Sequence, residues 1–312
     1  MEDENISMTV EENQVTESPK LVFIVPYRDR QQQYEFFSRH MKMIMDGIPH
    51  RILYIHQRDN REFNRGALKN IGFLTVKDLY PDSYRDITLV LNDVDTMPYT
   101  SGFLDYHTVP GVVKHFYGFT FTLGGIVSIN AGDFERINGF PNFWAWGCED
   151  NCIYNRAISA GITVDRSIFF PIGDQRILQL YDGATRSICR SEALSVQRRT
   201  ASETLFTIRN LSFDFNGEYI DVAHFDTIID PGTITLETQN ILMNPQINLV
   251  PAIKQMDMER RLRIKSSHPQ PQPQPQPHPQ PQPHPQPQPP RQVASAASML
   301  RRPFMMPGYS KR

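Results

Sequence analysis

The chain has 312 residues, enough for one large or two ordinary domains with a packed core. Its 32 Lys and Arg against 34 Asp and Glu leave a formal net charge of −2, so bulk charge offers no argument for nucleic acid or an acidic partner. Three cysteines, Cys148, Cys152 and Cys189, lack the spacing of a disulfide framework or a zinc site, and no apolar run approaches the ~20 residues that span a bilayer, so the expectation is a cytoplasmic protein with no signal, anchor or transmembrane segment.

Residues 1–19 are polar and acidic and read as a disordered arm. LVFIV at 21–25 is a continuous β-rich apolar run, predicted to be a strand buried on both faces and to stop at Pro26. The next segment carries Phe36, Phe37, His40, Met41, Ile44 and Met45 at helical spacing. ILYI at 52–55 repeats the strand pattern, and FNRGALKNIGFLTVKDLY after it puts Leu68, Ile71, Leu74, Val76 and Leu79 on one helical face. Strand and helix alternate, which predicts an α/β layered fold.

ITLVLNDVD at 87–95 is the third predicted strand, and it ends in acids. Ligands of open α/β sheets sit outside the carboxyl ends of the strands, and residues two apart share one strand face, so Asp93 and Asp95 are expected to point into one space. Solvated loop acids are the plainer alternative. Gly124-Gly125 permits close approach of a ligand or another backbone, or simply makes a bulge, before the strand-like IVSI. Further on, ITVDRSIFF at 162–170, EYIDVAHF and TITLE read as strands, with a helical region near Ser191 to Ile208.

The densest stretch is NGFPNFWAWGCEDNCIYNR, Asn138 to Arg156. It holds both tryptophans, Trp144 and Trp146, and then the adjacent acids Glu149 and Asp150 at the predicted start of a helix. Carboxylates are favoured there by the helix dipole and the free N–H groups, so capping acids and core tryptophans are one reading and a site is the other. Residues 266–291 are almost wholly Pro and Gln and form a polyproline-like linker, its His268, His278 and His284 read as solvated. The basic and apolar tail at 292–312 suits a membrane surface or a partner groove as well as disorder.

Four segments in a fixed order now carry a resemblance: VPYRDR at 25–30, FNRGALKNIGF at 63–73, NDVDTMP at 92–98, and GGIVSI followed by INGFPNFWAWGCED at 137–150. Together they resemble the β-1,4-galactosyltransferase family, over roughly residues 20–237. The resemblance implies a GT-A type nucleotide-diphospho-sugar transferase fold, a central mostly parallel sheet flanked by helices, with a catalytic domain over 20–265. It implies inverting transfer of galactose from UDP-galactose to a sugar hydroxyl, with Mn²⁺ or Mg²⁺ as cofactor, a UDP-sugar donor and a glycan acceptor as partners, and no nucleic acid.

By the same resemblance, Pro26, Tyr27, Arg28, Arg30, Phe63, Arg65, Asp93, Val94, Gly125 and Trp146 bind the donor. Tyr27 stands where Phe is usual. Trp146 belongs to a mobile lid, Asp95 is the metal ligand, Asp150 the general base and Glu149 its support. Three departures stand out. The family completes its metal site with a Met and a His, where GDQRILQLYDG at 173–183 has Ile177 and Leu180, leaving Asp174, Gln179, diphosphate or water to supply oxygen. Asn151 replaces an acid, and Cys148 a glycine in the lid hinge. Thr122 replaces the Tyr of galactose-transferring members, which leaves room for an acetamido group and brings UDP-N-acetylgalactosamine nearly level with UDP-galactose, the family default, as donor. A non-catalytic sugar- or nucleotide-binding relative is the alternative; a metal phosphohydrolase built on Asp93 and Asp95 would leave the tryptophan and acid stretch without a role.

Overall fold

The computed structural model describes residues 18–181, 183, 185–189 and 203–240. Most of the acidic arm, the part of the predicted helix before residue 203, the Pro/Gln linker and the tail lie outside these residues. Strands β1 (Leu21–Tyr27), β2 (Arg51–Gln57) and β3 (Thr88–Asn92) alternate with helices α1 (Gln31–Ile44) and α2 (Arg65–Leu79). After the short β4 (Thr96–Pro98) come β5 (Val112–Gly118), β6 (Ile126–Asn130), α3 (Ala131–Arg136) and α4 (Glu149–Ser159). The remainder is β7 (Thr163–Asp165), β8 (Phe170–Pro171), β9 (Ile177–Gln179), β10 (Thr185–Ile188), β11 (Arg209–Asn216), β12 (Tyr219–Asp226) and β13 (Glu237–Asn240).

The main sheet runs β11-β12-β2-β1-β3-β6-β5-β7, with β8 also on β5. The pairs β1·β2, β1·β3, β12·β2, β5·β7 and β5·β8 are parallel, and β11·β12, β3·β6 and β5·β6 antiparallel, so the sheet is mixed and mostly parallel, as expected. Every residue of β1 is buried because its alternating side chains feed two cores. Val22 and Ile24 join Leu53, Ile55, Leu89 and Leu91 under α2, α3 and α4, while Leu21, Phe23 and Val25 join Tyr54, Val90 and the Phe37, Met41 and Ile44 stripe of α1. The result is a helix, sheet and helix sandwich.

Three strand predictions need correction. β1 does not stop at Pro26 but runs through it to Tyr27. Pairing with β3 ends at Ile24, so beyond that residue β1 is bonded only to β2, where a proline without an N–H is tolerated on the free side. β3 ends at Asn92 rather than Asp95, because the Thr96 N–H turns back to the Asp93 carbonyl at 3.1 Å. The predicted single strand 162–170 is two short ones, β7 and β8, and the only helical turn in residues 203–208 is a 3-10 turn, Leu205–Thr207.

α2 lies tight on the sheet at Gly72. A Cβ there would stand 2.5 Å from Ile24 Cγ2 and 3.2 Å from Ile55 Cδ1. Gly72→Ala gains up to ~1 kcal/mol of helix propensity but forces the helix off the core, at ~1–3 kcal/mol. Overpacking wins, so a net loss of about 1–2 kcal/mol is expected. Denaturant unfolding checks this, and a gain in stability would refute it.

Candidate active site

The site assembles where the carboxyl ends of β1 and β3 meet the N-termini of α2 and α4. Asn64 caps α2, its Oδ1 accepting from the Ala67 N–H at 2.9 Å, so that Arg65 opens the helix and Lys69 follows one turn later on the same face. Buried asparagines then clamp the tryptophan loop to that helix. Asn64 Nδ2 donates to the Asn142 carbonyl at 3.0 Å, and Asn70 Nδ2 to the Phe140 carbonyl and to Asn142 Oδ1, both at 2.9 Å. The Phe140 N–H returns a bond to Asn70 Oδ1 at 2.9 Å. Each is a buried polar group that would be costly if orphaned, so the loop position is fixed from below.

The two tryptophans divide between the two readings. Trp144 is core: it stacks on Phe225 at 5.1 Å, and its indole N–H donates to Thr227 Oγ1 at 2.8 Å. Trp146, two residues on, faces the cavity, and its backbone N–H donates to the Ser187 carbonyl of β10 at 2.9 Å. β10 in turn pairs with β13, so the loop rests on a two-stranded ribbon. Cys148 follows in the left-handed region at φ 70°, ending the loop and placing Glu149 and Asp150 in the first turn of α4.

A cavity of about 230 Å³ is lined by Asp93, Asp95, Asp150, Arg30, Arg65 and Arg186, and by Gly124, Gly125, Thr122, Trp146, Phe119 and Tyr181. Asp93 and Asp95 do share one space, but through the turn after Asn92 and not through a strand face. Asp95 Oδ2 accepts from Arg30 Nη1 at 2.6 Å. Asp93 Oδ1 lies 3.6 Å from Arg65 Nε and 3.5 Å from Lys69 Nζ, and Asp150 Oδ1 lies 3.8 Å from the same ammonium. Gly124 is needed here: a Cβ would meet Asp150 Oδ2 at 2.3 Å.

These carboxylates do not titrate alike. Burial pushes Asp150 up to about 7; Lys69 and Arg65 oppose this, while the charges of Glu149 and Asp93 reinforce it. Burial also acts on Asp93, but Lys69 and Arg65 outweigh it and hold that acid below the usual range. Asp95 is raised by burial and by the Asp93 charge, against the pull of Arg30. One neutral-pH acid beside anchored anions is the arrangement that general acid–base chemistry uses.

Other predicted residues fall around this centre. Glu149 does not line the cavity: it is buried, its Oε1 accepting from Arg65 Nη1 at 2.8 Å and its Oε2 from the Gly147 N–H at 3.2 Å, which suits support rather than contact. The Val94 side chain packs into the core with Phe23 and Met97, so it presents no side-chain surface to the site. Arg28 and Phe63 line an adjoining cavity of about 310 Å³ that also reaches Arg30, Arg65, Trp146 and Arg186. Pro26 is buried within β1. Tyr27 stacks on Tyr34 at 5.1 Å, donates its hydroxyl to Tyr219 at 2.8 Å and edges a polar cavity with His56. Asn151 donates to the Phe121 carbonyl at 3.3 Å.

Sequence reasoning missed Lys69, Phe119 and Arg186. For Lys69 a signal existed, a second cation four residues after Arg65 and hence on the same helix face.

Among the described residues no three His, Cys, Asp or Glu side chains gather to hold a metal ion. Ile177 is buried on β9, and the Leu180 N–H donates to the Asp95 carbonyl at 2.8 Å. Asp174 is taken by Arg176 at 2.9 and 2.7 Å and does not line the cavity. Gln179 does line it, its Oε1 accepting from Tyr117 Oη at 2.7 Å. Asp95 and Gln179 thus offer hard oxygen only. Such a set would suit a divalent hard cation only if diphosphate and water supplied further oxygen.

A family model described as the N-terminal region of glycosyl transferase group 7 matches residues 8–104, and one described as the N-terminal domain of galactosyltransferase matches residues 112–176. A xylosylprotein 4-beta-galactosyltransferase of Caenorhabditis elegans is 34% identical over 159 residues, 47% of this chain and 53% of that protein. Beta-1,4-galactosyltransferase 7 of Drosophila melanogaster is 32% identical over 152 residues, 47% of each chain. The chain thus spans about half the length of the curated relatives it matches. A solved structure of a mutant Drosophila β-1,4-galactosyltransferase 7 with manganese, UDP-Gal and xylobiose superimposes with a TM-score of 0.51 at 20% identity, covering 69% of this chain and 96% of that one. That likeness is one of fold.

Proposed function

We propose, from the premise that the chain belongs to the β-1,4-galactosyltransferase family, that it is a hexosyltransferase moving galactose from UDP-galactose to a sugar hydroxyl with inversion. One observation carries this: a single cavity holds a carboxyl poised at about 7, Asp150, together with the guanidinium groups of Arg30 and Arg65. Asp150 takes the proton of the attacking hydroxyl, and Glu149 holds Arg65 in place behind it. Arg30 and Arg65 receive the diphosphate, where fork-shaped cations match phosphate oxygens. Trp146, carried on a loop anchored by Trp144, covers the donor and keeps water from competing with the acceptor. Asp95 and Gln179 would hold Mn²⁺, which supplies charge compensation to the leaving UDP when bound.

Xylobiose, the saccharide in the Drosophila complex, is the first acceptor to try. UDP release is followed with UDP-galactose and with UDP-N-acetylgalactosamine, with and without Mn²⁺. Acceptor-dependent release with UDP-galactose is expected. Retained UDP binding with no turnover of either donor, over a panel of saccharides, would instead support a non-catalytic nucleotide-binding relative.

The second donor is kept for a specific reason. Thr122 lines the cavity with a small side chain, its hydroxyl turned to the Phe119 carbonyl at 3.3 Å, and a donor sugar bound with its C2 toward Thr122 would have room for an acetamido group. Equal or faster release with UDP-N-acetylgalactosamine would favour that donor.

A further inference from the structure

Lys69 is 1% exposed, and a buried ammonium is tolerated only when paired. Its Nζ lies 3.5 Å from Asp93 Oδ1, 3.8 Å from Asp150 Oδ1 and 4.9 Å from the centre of the Phe140 ring. Asp93 Oδ1 and Asp150 Oδ1 are themselves buried and make no hydrogen bond. Asp150 Oδ1 therefore depends on the ammonium, which it shares with Asp93 Oδ1, itself also 3.6 Å from Arg65 Nε.

The groups facing Asp150 are Lys69 and Arg65 from α2, Glu149 and Cys152 from α4, and Asp93 from the turn after β3. Burial, Glu149 and Asp93 all favour the protonated acid. Arg65 pairs with Glu149 at 2.8 Å and with Asp93 at 3.6 Å, and among the described residues Lys69 is the cation that forms an ion pair with Asp150.

Resting on the reading of Asp150 as general base, we propose that Lys69 is a positioning residue, whose buried ammonium sits between Asp93 and Asp150 and keeps the base ionised without touching substrate. A side chain this enclosed acts through Asp150 and not on the sugar.

The test is a carboxyl-carbon NMR titration of Asp150 in the full chain, its Lys69→Met variant and its Lys69→Arg variant, alongside the pH dependence of kcat/KM. Loss of the ammonium should raise the Asp150 midpoint by about one unit or more, which is a tenfold loss of kcat/KM on the acid limb that is recovered above the midpoint. Lys69→Arg should keep the parent midpoint. A folded Lys69→Met protein whose Asp150 midpoint is unmoved overturns the proposal.

Should Lys69→Met fail to fold, the parent protein still decides. The nitrogen-15 shift of Lys69 Nζ must follow the Asp150 titration, and an ammonium signal blind to it is equally fatal. These midpoints need no turnover. A parent protein that shows the coupling and lacks activity would sink the base assignment and leave the pairing intact.

Discussion

Asp150→Asn is expected to lower turnover by ~10²–10⁴-fold, the usual worth of a positioned general base, with donor affinity nearly unchanged. The amide keeps the shape that Gly124 makes room for, yet it cannot take a proton. In the parent protein kcat/KM should rise through about pH 7 and flatten above it, because the acid pushed up to about 7 works only once ionised. The same substitution should reveal a linked effect on stability. The folded acid, at about 7, holds its proton through a window above the ordinary 3.8 in which the unfolded chain has already lost it. Parent stability therefore falls as pH rises from about 4 to 7, and the variant lacks that fall. Calorimetry at pH 5 and pH 8 should find the variant gaining on the parent at the higher pH. Unchanged turnover would remove Asp150 from the chemistry, and a pH-independent stability difference would contradict its environment.

Much of this was legible in the residues because the strands that carry the site are buried on both faces and leave continuous apolar runs. β1, α1, β2 and α2 follow directly from LVFIV, the Phe37 and Met41 stripe, ILYI and the FNRGALKN segment. What the pattern could not give was where a strand yields to a turn. Asp93 and Asp95 come together because the chain reverses after Asn92, a backbone choice that alternation does not encode.

The tryptophans show a second limit. Trp144 and Trp146 look equivalent as letters, yet one is stacked on Phe225, a residue 81 positions on, and only that long-range partner separates core from site. Lys69 went unseen for the opposite reason. A lysine inside an amphipathic helix is taken as solvated, and here it is the solvent that is excluded.

Arg65→Met should be the most damaging single change to the site's framework. A cation in the first turn of a helix opposes the macrodipole, by ~0.3–1 kcal/mol, so Arg65 is not there for the sake of α2. Its side chain is 17% exposed and pairs with Glu149, itself 5% exposed, as well as with Asp93. Breaking such a pair from one side leaves an uncompensated buried carboxylate and costs about 3–5 kcal/mol, several times what the helix regains. The pH dependence follows from Asp93, whose folded acid lies below its ordinary value because Lys69 and Arg65 together overcome burial. That contribution is present above the unfolded value near 3.8 and is lost as pH falls through the depressed folded value, so the variant's deficit should be largest near neutrality and narrow toward pH 3. Affinity for UDP should fall about 10- to 100-fold with the loss of one charge-assisted contact to the diphosphate. Calorimetric UDP titration beside denaturant unfolding separates the two effects. Parent-like UDP affinity in a destabilised variant would move the diphosphate away from Arg65 and leave it a purely structural cation.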